Sequence, residues 1–424
     1  MVHIHRQTAT MKRPERQRKH LFVVGCGFPQ LGLVRAARRL GYEVTGADFN
    51  PHAICVPELD HFLLASTGSI DAICDAFRES AASAISTSGS ELALTTTAHV
   101  AERLGLPFYA DTQTIHRCQA KDAMRAAYRA AGLTIPHFEP CIHLEHARAF
   151  ASRLGFPLVV KAANGWGQRG VSRVDSLEQL EPAFQAAICA SHGGGGAVLE
   201  ECVSGHEVSV NGWVENGEFV SYCVTDRDVF PGHAPLGVMR SEITPSVLSD
   251  VLVAKAIDEA RAGAKALGLD RGPCYSQVVI SDHRAVLFET AARLGGGFDA
   301  DVTRLACGVD LYTRLLGVAF DDRELERSGE PHASCPALVR FLAPPVGHRP
   351  RVLEAVYGLE EVREMPGVVD AVVYPRPGDA IEPLLHAAKR IGHILVTGAT
   401  RQIAVDQADF AEKRIRLAIQ GSGL

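Results

Sequence analysis

The 424-residue chain has no long apolar run, no closely spaced pair of cysteines and no excess of positive charge. Each absence excludes a class of protein. Without a stretch of about 18 apolar residues, no helix is expected to span a membrane. The eleven cysteines stand singly, at positions 26, 55, 74, 118, 141, 189, 202, 223, 274, 307 and 335. An odd count without CxxC spacing argues against a disulfide framework and against a zinc site, and reads as reduced, mostly buried thiols of a cytoplasmic protein. A formal net charge of -6 offers nothing to a polyanion, so no nucleic-acid partner is expected. The opening MVHIHRQTATMKRPERQRKH is basic but lacks the apolar core of a secretory signal. Residues 1–20 are expected to be a disordered tail, with His3 and His5 solvated rather than holding a metal.

What is present is ordinary globular material, 46% apolar and 22% charged. The length suggests about three domains at roughly 150 residues each. LFVVGCG (21–27) reads as a buried strand ending in glycines, LVRAARRLG (33–41) as a helix stopped by Gly41, and YEVTGAD (42–48) as a second strand. The alternation continues through FLLA (62–65), a helix near 69–79, AIST (84–87) and a helix near 91–104. Residues 21–112 therefore form a doubly wound α/β domain with a parallel sheet. Its first turn, Gly25 to Gly32, has part of a dinucleotide-binding pattern, and Asp48 stands where a ribose-binding acid belongs. Yet Gln30 occupies the third glycine position and Pro29 stiffens the turn, so a plain strand-to-helix turn competes with that reading.

From residue 111 the character changes. AKDAMRAAYRAAG (120–132) is a helix with an apolar stripe. A helix near 144–154 and the strand FPLVV (156–160) follow, and Ser176 with Gln179 has capping-box spacing for the next helix. AVLEE (197–201) is a strand. HEVSVNGWV (206–214) and FVSYCV (219–224) form a hairpin around Asn216-Gly217. CYSQVVI (274–280) and AVLFET (285–290) form another around residues 281–284. The last hundred residues mix short strands with helices and end in a helix at 405–420.

The segment GWGQRG (165–170) has P-loop glycine spacing, but Val171 stands where that motif keeps its lysine. Lys161 arrives instead from the preceding strand. Glycines allow close backbone approach to phosphate and unusual φ angles, and Lys121 and Lys161 supply charge. Glu200, Glu201 and Glu207 flank a connector, Val203-Ser204-Gly205, whose backbone can bond an adenine edge and whose acids can hold ribose hydroxyls. Gln277 and Glu289 lie on the two strands of one hairpin. They share a face, and can offer oxygens to magnesium, only if the loop is odd in length or the ladder carries a bulge. Arg293 precedes three glycines, 295–297, whose N–H groups can stabilise an oxyanion. Arg227, His233 and Arg240 lie in a turn-rich stretch where an arginine can bind a second carboxylate. Glu91 reads either as an acid for a substrate amine or as a helix-start acid.

Taken in order, KDAMRAAYRAAGLTIP, PLVVKAANGWGQRGV, LEECVSGHEVSV and VLFETAARLGGGFDADVT resemble the ATP-grasp superfamily. More narrowly the chain is similar to carboxylate–amine ligases that include the L-amino acid ligases. The resemblance covers about 21–424. It implies a mixed α/β fold, with an ATP-grasp domain over 113–325, a mobile lid at about 135–197 and a C-terminal α+β lobe over 326–424. It implies that Lys121 and Lys161 bind the phosphates of ATP while Gly165, Gly167, Gln168, Arg169 and Gly170 close over them. Glu200, Glu201, Cys202 and Val203 would hold adenine, and Glu207 the ribose. Gln277 and Glu289 would hold Mg2+, or Mn2+ in its place. Arg293 with the amides of Gly296 and Gly297 would stabilise the tetrahedral intermediate of amide formation through an acyl phosphate. The partners implied are a small carboxylate and a small amine, and a homodimer is compatible with the resemblance.

Two positions depart from the pattern. Gln277 stands where the family usually has glutamate, and Ala291 where it often has a metal-binding asparagine. Carboxylation through carboxyphosphate, ATP sensing without catalysis and nicotinamide-dependent oxidoreduction are the competing readings.

Overall fold

The structure, a computed structural model, describes residues 18–165, 167–230, 237–329, 331, 335–345 and 349–420. His3, His5, most of the basic tail and His233 lie outside the described residues.

The first lobe alternates strand and helix as its sequence does. Strands His20–Val24, Glu43–Asp48, His61–Leu64 and Ala84–Ser86 form one parallel sheet with the first strand between the second and the fourth. Successive side chains of a strand point to opposite faces. Accordingly Leu21 and Val23 pack with Leu31 and Val34 on one side, while Phe22 and Val24 pack with Ile73, Phe77 and Ile85 on the other. The first turn fills itself. Asp48 accepts from the Cys26 and Asn50 amides at 2.7 and 2.9 Å, and Gln30 accepts from the Gly27 amide and donates to the Ser88 carbonyl. The groups a dinucleotide would use are consumed within the turn, so the plain-turn reading describes it.

A second, antiparallel sheet is built from Phe138–Cys141, Ala197–Glu201, Leu158–Ala162 and Val171–Val174, in that spatial order. Helices Leu144–Leu154 and Leu177–Ala190 cover it, and a separate small core of Leu158, Val160, Leu199, Phe150 and Phe184 holds it together. The capping box expected at Ser176 is not made. Gln179 reaches back to the Asp175 amide instead, and the Ser176 side chain does not cap the helix.

Among the described residues the largest sheet has eight strands. In spatial order they are Arg284–Ala291, Gly272–Ser281, His206–Glu215, Glu218–Val229, Met239–Thr244, Ala337–Leu342, Gly392–Thr397 and Val368–Val373. The sheet runs straight through the boundary expected near 326, because Ser241 to Thr244 pair with Ala337 to Arg340. The final helix ends earlier than its expected limit of 420. It spans Arg401–Arg414, after which Arg416–Ile419 is a strand paired to Arg351–Tyr357. The physical reason is burial: Ile415, Leu417 and Ile419 alternate, and all three pack into the C-terminal core. No described helix is long and apolar enough to cross a membrane. All eleven cysteines are free, eight of them buried.

Candidate functional site

Strand pairing gathers the polar side chains on one face of the large sheet. Glu207 pairs across from Val279, Ser209 from Gln277, and Gln277 from Glu289. The hairpin turn is the two-residue Asp282-His283, both at positive φ (47° and 63°), as a type I′ turn requires. Such a turn alone would put positions 277 and 289 on opposite faces. The register shifts between Gln277 and Val278, leaving Phe288 as an extra, bulged residue, and this brings Glu289 directly opposite Gln277. Both side chains are half-buried. The Gln277 amide nitrogen donates to the Tyr275 hydroxyl at 3.0 Å, so its oxygen is the atom left to offer. Ala291 is fully buried. No group of three His, Cys, Asp or Glu converges anywhere among the described residues. The donor set therefore suits a hard cation that arrives with most of its oxygens already supplied by phosphate and water, rather than an all-protein cage.

Lys161 extends from the strand Leu158–Ala162 of the smaller sheet. Its Nζ lies 2.5 Å from Glu200 Oε2, and Arg125 Nε donates to Glu200 Oε1 at 2.8 Å. Burial raises the Glu200 carboxyl, but the two cations outweigh it and hold the group down to about 2. Burial lowers the Lys161 ammonium, with Glu200 opposing. This corrects the expectation for Glu200. It is 2% exposed and both oxygens are taken inside the protein, so it holds Lys161 rather than a ligand. Arg125 was not singled out in the sequence. The available signal was its place one helical turn after Lys121, on the same face of Lys121–Ala130. Its Nη1 also donates to the Phe288 carbonyl, so one side chain ties the Lys161 carboxylate partner to the bulge that orients Glu289.

Lys121 Nζ donates to the Gly165 carbonyl at 2.5 Å, and its amide donates to Ala163 O. The glycine segment turns between strands whose ladder ends at Lys161 opposite Val171. Gly167, Gln168 and Gly170 all have positive φ, and a Cβ on Gly170 would stand 2.6 Å from that of Ala190. Gly167 and Arg169 are exposed.

Glu201, Cys202 and Val203 are half-buried where the smaller sheet passes into the large one, and Glu201 Oε2 accepts from the His137 amide at 3.3 Å. Glu207 is met by Arg227 Nη1 at 2.8 Å, and Arg240 by Glu412 at 3.0 Å. Both arginines are thus ion-paired, and Arg227 keeps a buried Nε without a hydrogen-bond partner among the described residues.

Arg293 Nε donates to Glu91 Oε1 at 2.5 Å, joining the large sheet to the first lobe. Burial works against the Arg293 charge, but Glu91 and Glu289 raise its pKa above the ordinary range. Glu91 opens the helix Glu91–Leu104, and its second oxygen is buried with no partner. The three glycines pack tightly. A Cβ on Gly296 would stand 2.8 Å from the Gly89 carbonyl, and one on Gly297 would stand 2.1 Å from Met239 Cε. The Gly297 amide donates to Asp299 Oδ2 at 3.0 Å, so the oxyanion role expected of it is taken here by a carboxylate of the chain itself.

A group the sequence did not disclose lies beside these glycines. Glu242 and Asp299 lie against each other in the interior and share a side-chain hydrogen bond, while Asp299 Oδ1 and Glu242 Oε2 have no partner from any other residue among those described. Burial first, and then the Asp299 carboxylate beside it, pushes the Glu242 carboxyl well above the usual carboxylate range. Arg390 lies nearby, 6% exposed, its guanidinium 3.6 Å from the Phe341 ring centroid. Burial, with Arg227 adding to it and Tyr374 opposing, pushes its pKa down to about 10.

Comparison with known proteins then bears on all of this. Residues 154–301 match the model of the ATP-grasp domain, and residues 340–420 match the L-amino acid ligase C-terminal domain 2. The chain is similar to the alanine–anticapsin ligase of Bacillus subtilis, 27% identical over 262 residues that make up 57% of this chain and 54% of that protein. The matches span 54–64% of the length of the first curated relatives. The crystal structure of an L-amino acid ligase from Bacillus licheniformis superposes with a TM-score of 0.80 at 23% identity, covering 96% of this chain and 100% of that one. N5-carboxyaminoimidazole ribonucleotide synthetase from Thermotoga maritima superposes at 0.70 with 19% identity, covering 94% and 99%. Both share the fold.

Proposed function

We propose, from the premise that this chain is an ATP-grasp protein with the C-terminal domain of L-amino acid ligases, that it joins a small carboxylate to a small amine in the cytoplasm and releases ADP and phosphate. Lys121 and Lys161 bind the ATP phosphates, with Gly165, Gly167, Gln168, Arg169 and Gly170 folding over them. The backbone of Glu201 to Val203 bonds the adenine edge, and Glu207 takes the ribose. Gln277 and Glu289 hold magnesium, which neutralises phosphate charge when bound.

The substrate carboxylate attacks the γ-phosphorus, and ADP leaves with the electron pair of the broken P–O bond. The amine attacks the resulting acyl phosphate, phosphate leaves with the C–O pair, and the amine gives up a proton. Arg293 follows negative charge on the acyl group, since a guanidinium fork suits both carboxylate and phosphoryl oxygens. Barrier lowering is by positioning and electrostatics, as in phosphoryl transfer generally.

The observation that supports this reading most is the bulge at Phe288. It sets Glu289 opposite Gln277, and Arg125 ties it to the ion cluster of Lys161. The test is release of phosphate and nucleotide from ATP and magnesium over a matrix of acids and amines, with and without bicarbonate. ADP and phosphate appearing only with particular acid–amine pairs is the expected result. Dependence on bicarbonate would move the assignment to carboxylation, and AMP with pyrophosphate would remove the acyl phosphate. Glu289→Gln should stay folded and lose on the order of a hundredfold or more in turnover.

A further inference from the structure

We propose that a cavity at the outer edge of the smaller sheet binds a small organic acid with an apolar body, and that its occupancy is felt at the ATP site. None of its lining residues has a part in the ligase reading, so the two stand or fall separately.

The cavity has a volume of about 540 Å3. It lies between the end of helix Lys121–Ala130, the edge strand Phe138–Cys141 and the end of helix Leu144–Leu154. Its floor is apolar, made by Leu133, Ile135, Phe138, Phe150 and Leu154. Leu154 is 38% exposed, and Leu133, Ile135 and Phe138 are half-buried, so much of the floor faces water. The space beside Gly132 is open, since a Cβ there would meet nothing within 4 Å. A concavity of this size, apolar within and carrying a few polar groups, suits a small organic molecule.

The groups at the rim give that molecule its charge. Arg129 holds its guanidinium 4.1 Å from the Phe138 ring centroid and reaches the Phe138 carbonyl at 3.4 Å. No carboxylate among the described residues meets it. Arg153 stands 5.8 Å from the Phe150 ring centroid and is ion-paired to Glu139. With His137 neutral, two guanidiniums and one carboxylate leave one positive charge over, which a monoanion matches. A guanidinium resting on a ring keeps N–H groups for a carboxylate. The helix bears this out. Lys121, Arg125 and Arg129 stand four residues apart, a spacing at which like charges repel. Arg125 is met by Glu200 and Lys121 has the ATP phosphates, which leaves Arg129 as the cation of the row without an anion.

The same lining reaches the nucleotide site through the backbone. The Thr134 carbonyl accepts from the Leu287 amide at 2.8 Å, next to the bulged Phe288 that sets Glu289. Three residues on, the His137 carbonyl accepts from the Glu201 amide at 2.9 Å, where the adenine connector begins. A ligand packed on Leu133, Ile135 and Phe138 therefore bears on both ends of the ATP site. Whatever factor it imposes on ATP affinity, ATP imposes on it in return.

The experiment uses 4-benzoylbenzoate, an aryl carboxylate whose ketone crosslinks under light, and its uncharged methyl ester. In calorimetry on the full chain the acid should bind at least about tenfold more tightly than the ester. Arg129→Gln should bring the acid down to the ester's affinity without moving the melting temperature, because Arg129 is exposed. Irradiation and peptide mapping should place the label within residues 129–139 or 150–154. Saturating Mg-ATP should change the acid's affinity by at least about fivefold. Label within residues 289–297 would mean that the acid occupies the site of the reacting carboxylate, and would overturn the proposal. So would equal affinity for acid and ester, no binding of either, or native affinity in Arg129→Gln. Acid binding that is indifferent to Mg-ATP would overturn the link to the nucleotide. Failure of every acid–amine pair to release phosphate would remove the ligase reading and leave the cavity's acid binding as it is.

Discussion

At Lys161, a buried carboxylate lies between two cations and each of its oxygens has a partner. At the lobe junction two carboxyls are equally buried, but there Glu242 and Asp299 lie against each other with no cation among the described residues ion-paired to either. The first arrangement balances its charges. The second brings two like groups together, so burial keeps a proton between them. Removing one member of a balanced buried cluster leaves an uncompensated charge, whereas removing the charge of one of two like groups does not.

The contrast can be broken at its strong side first. Glu200→Ala strands Arg125 and Lys161 together in the interior, and should cost about 3–5 kcal/mol of stability, read by denaturant unfolding. A loss below about 1 kcal/mol would mean that water already reaches the cluster. The next largest effect is in pH. The Glu200 pKa is depressed to about 2 from an ordinary 4.5, so its contribution is present above about 4.5 and is lost as pH falls toward 2. Glu242 is shifted the other way. Its contribution is complete below the ordinary carboxylate value and is lost as pH rises through its raised value. Melting curves of Glu200→Gln should therefore flatten below the ordinary carboxylate value, and those of Glu242→Gln above it; the same limb flattening in both would erase the distinction. The smallest effect is Glu242→Gln below the ordinary carboxylate value, where a neutral amide replaces a protonated acid. It should change stability by less than about 1 kcal/mol, and a larger loss would show that the amide cannot replace the acid's hydrogen bond to Asp299.

The sequence disclosed what is local. Lys161 at the end of an apolar strand, the glycine turn after it and the parallel first lobe were all legible, because a strand period or a required positive φ is written in a few adjacent residues. The Gln277–Glu289 pairing was legible as a condition, an odd loop or a bulge; which of the two holds depends on register, and register is a property of two strands. What stayed hidden spans lobes. Glu200 read as a ligand-facing acid because Arg125, 75 positions away, was not known to meet it. Arg293 and Glu91 are 202 positions apart. Arg390 has no neighbour in sequence that marks it, and it meets Phe28 and the field of Asp299 only through the fold. The closing helix misread as reaching 420 fails for the same reason, since residues 416–419 are a strand only because Leu353 to Tyr357 lie beside them.

The sheet that crosses residue 326 also sets a timetable. Met239–Thr244 leaves the ribosome roughly a hundred residues before Ala337–Leu342, the strand that covers its open edge. Gly392–Thr397 and Val368–Val373 complete the sheet later still. During synthesis the nascent chain therefore carries a bare strand edge for several seconds, at about 5–20 residues per second. Pairings of such long sequence separation close slowly. A chain cut near 326 would keep that edge permanently, so the ATP-grasp portion expressed without its last hundred residues should collect in aggregates rather than as a free-standing nucleotide-binding fragment.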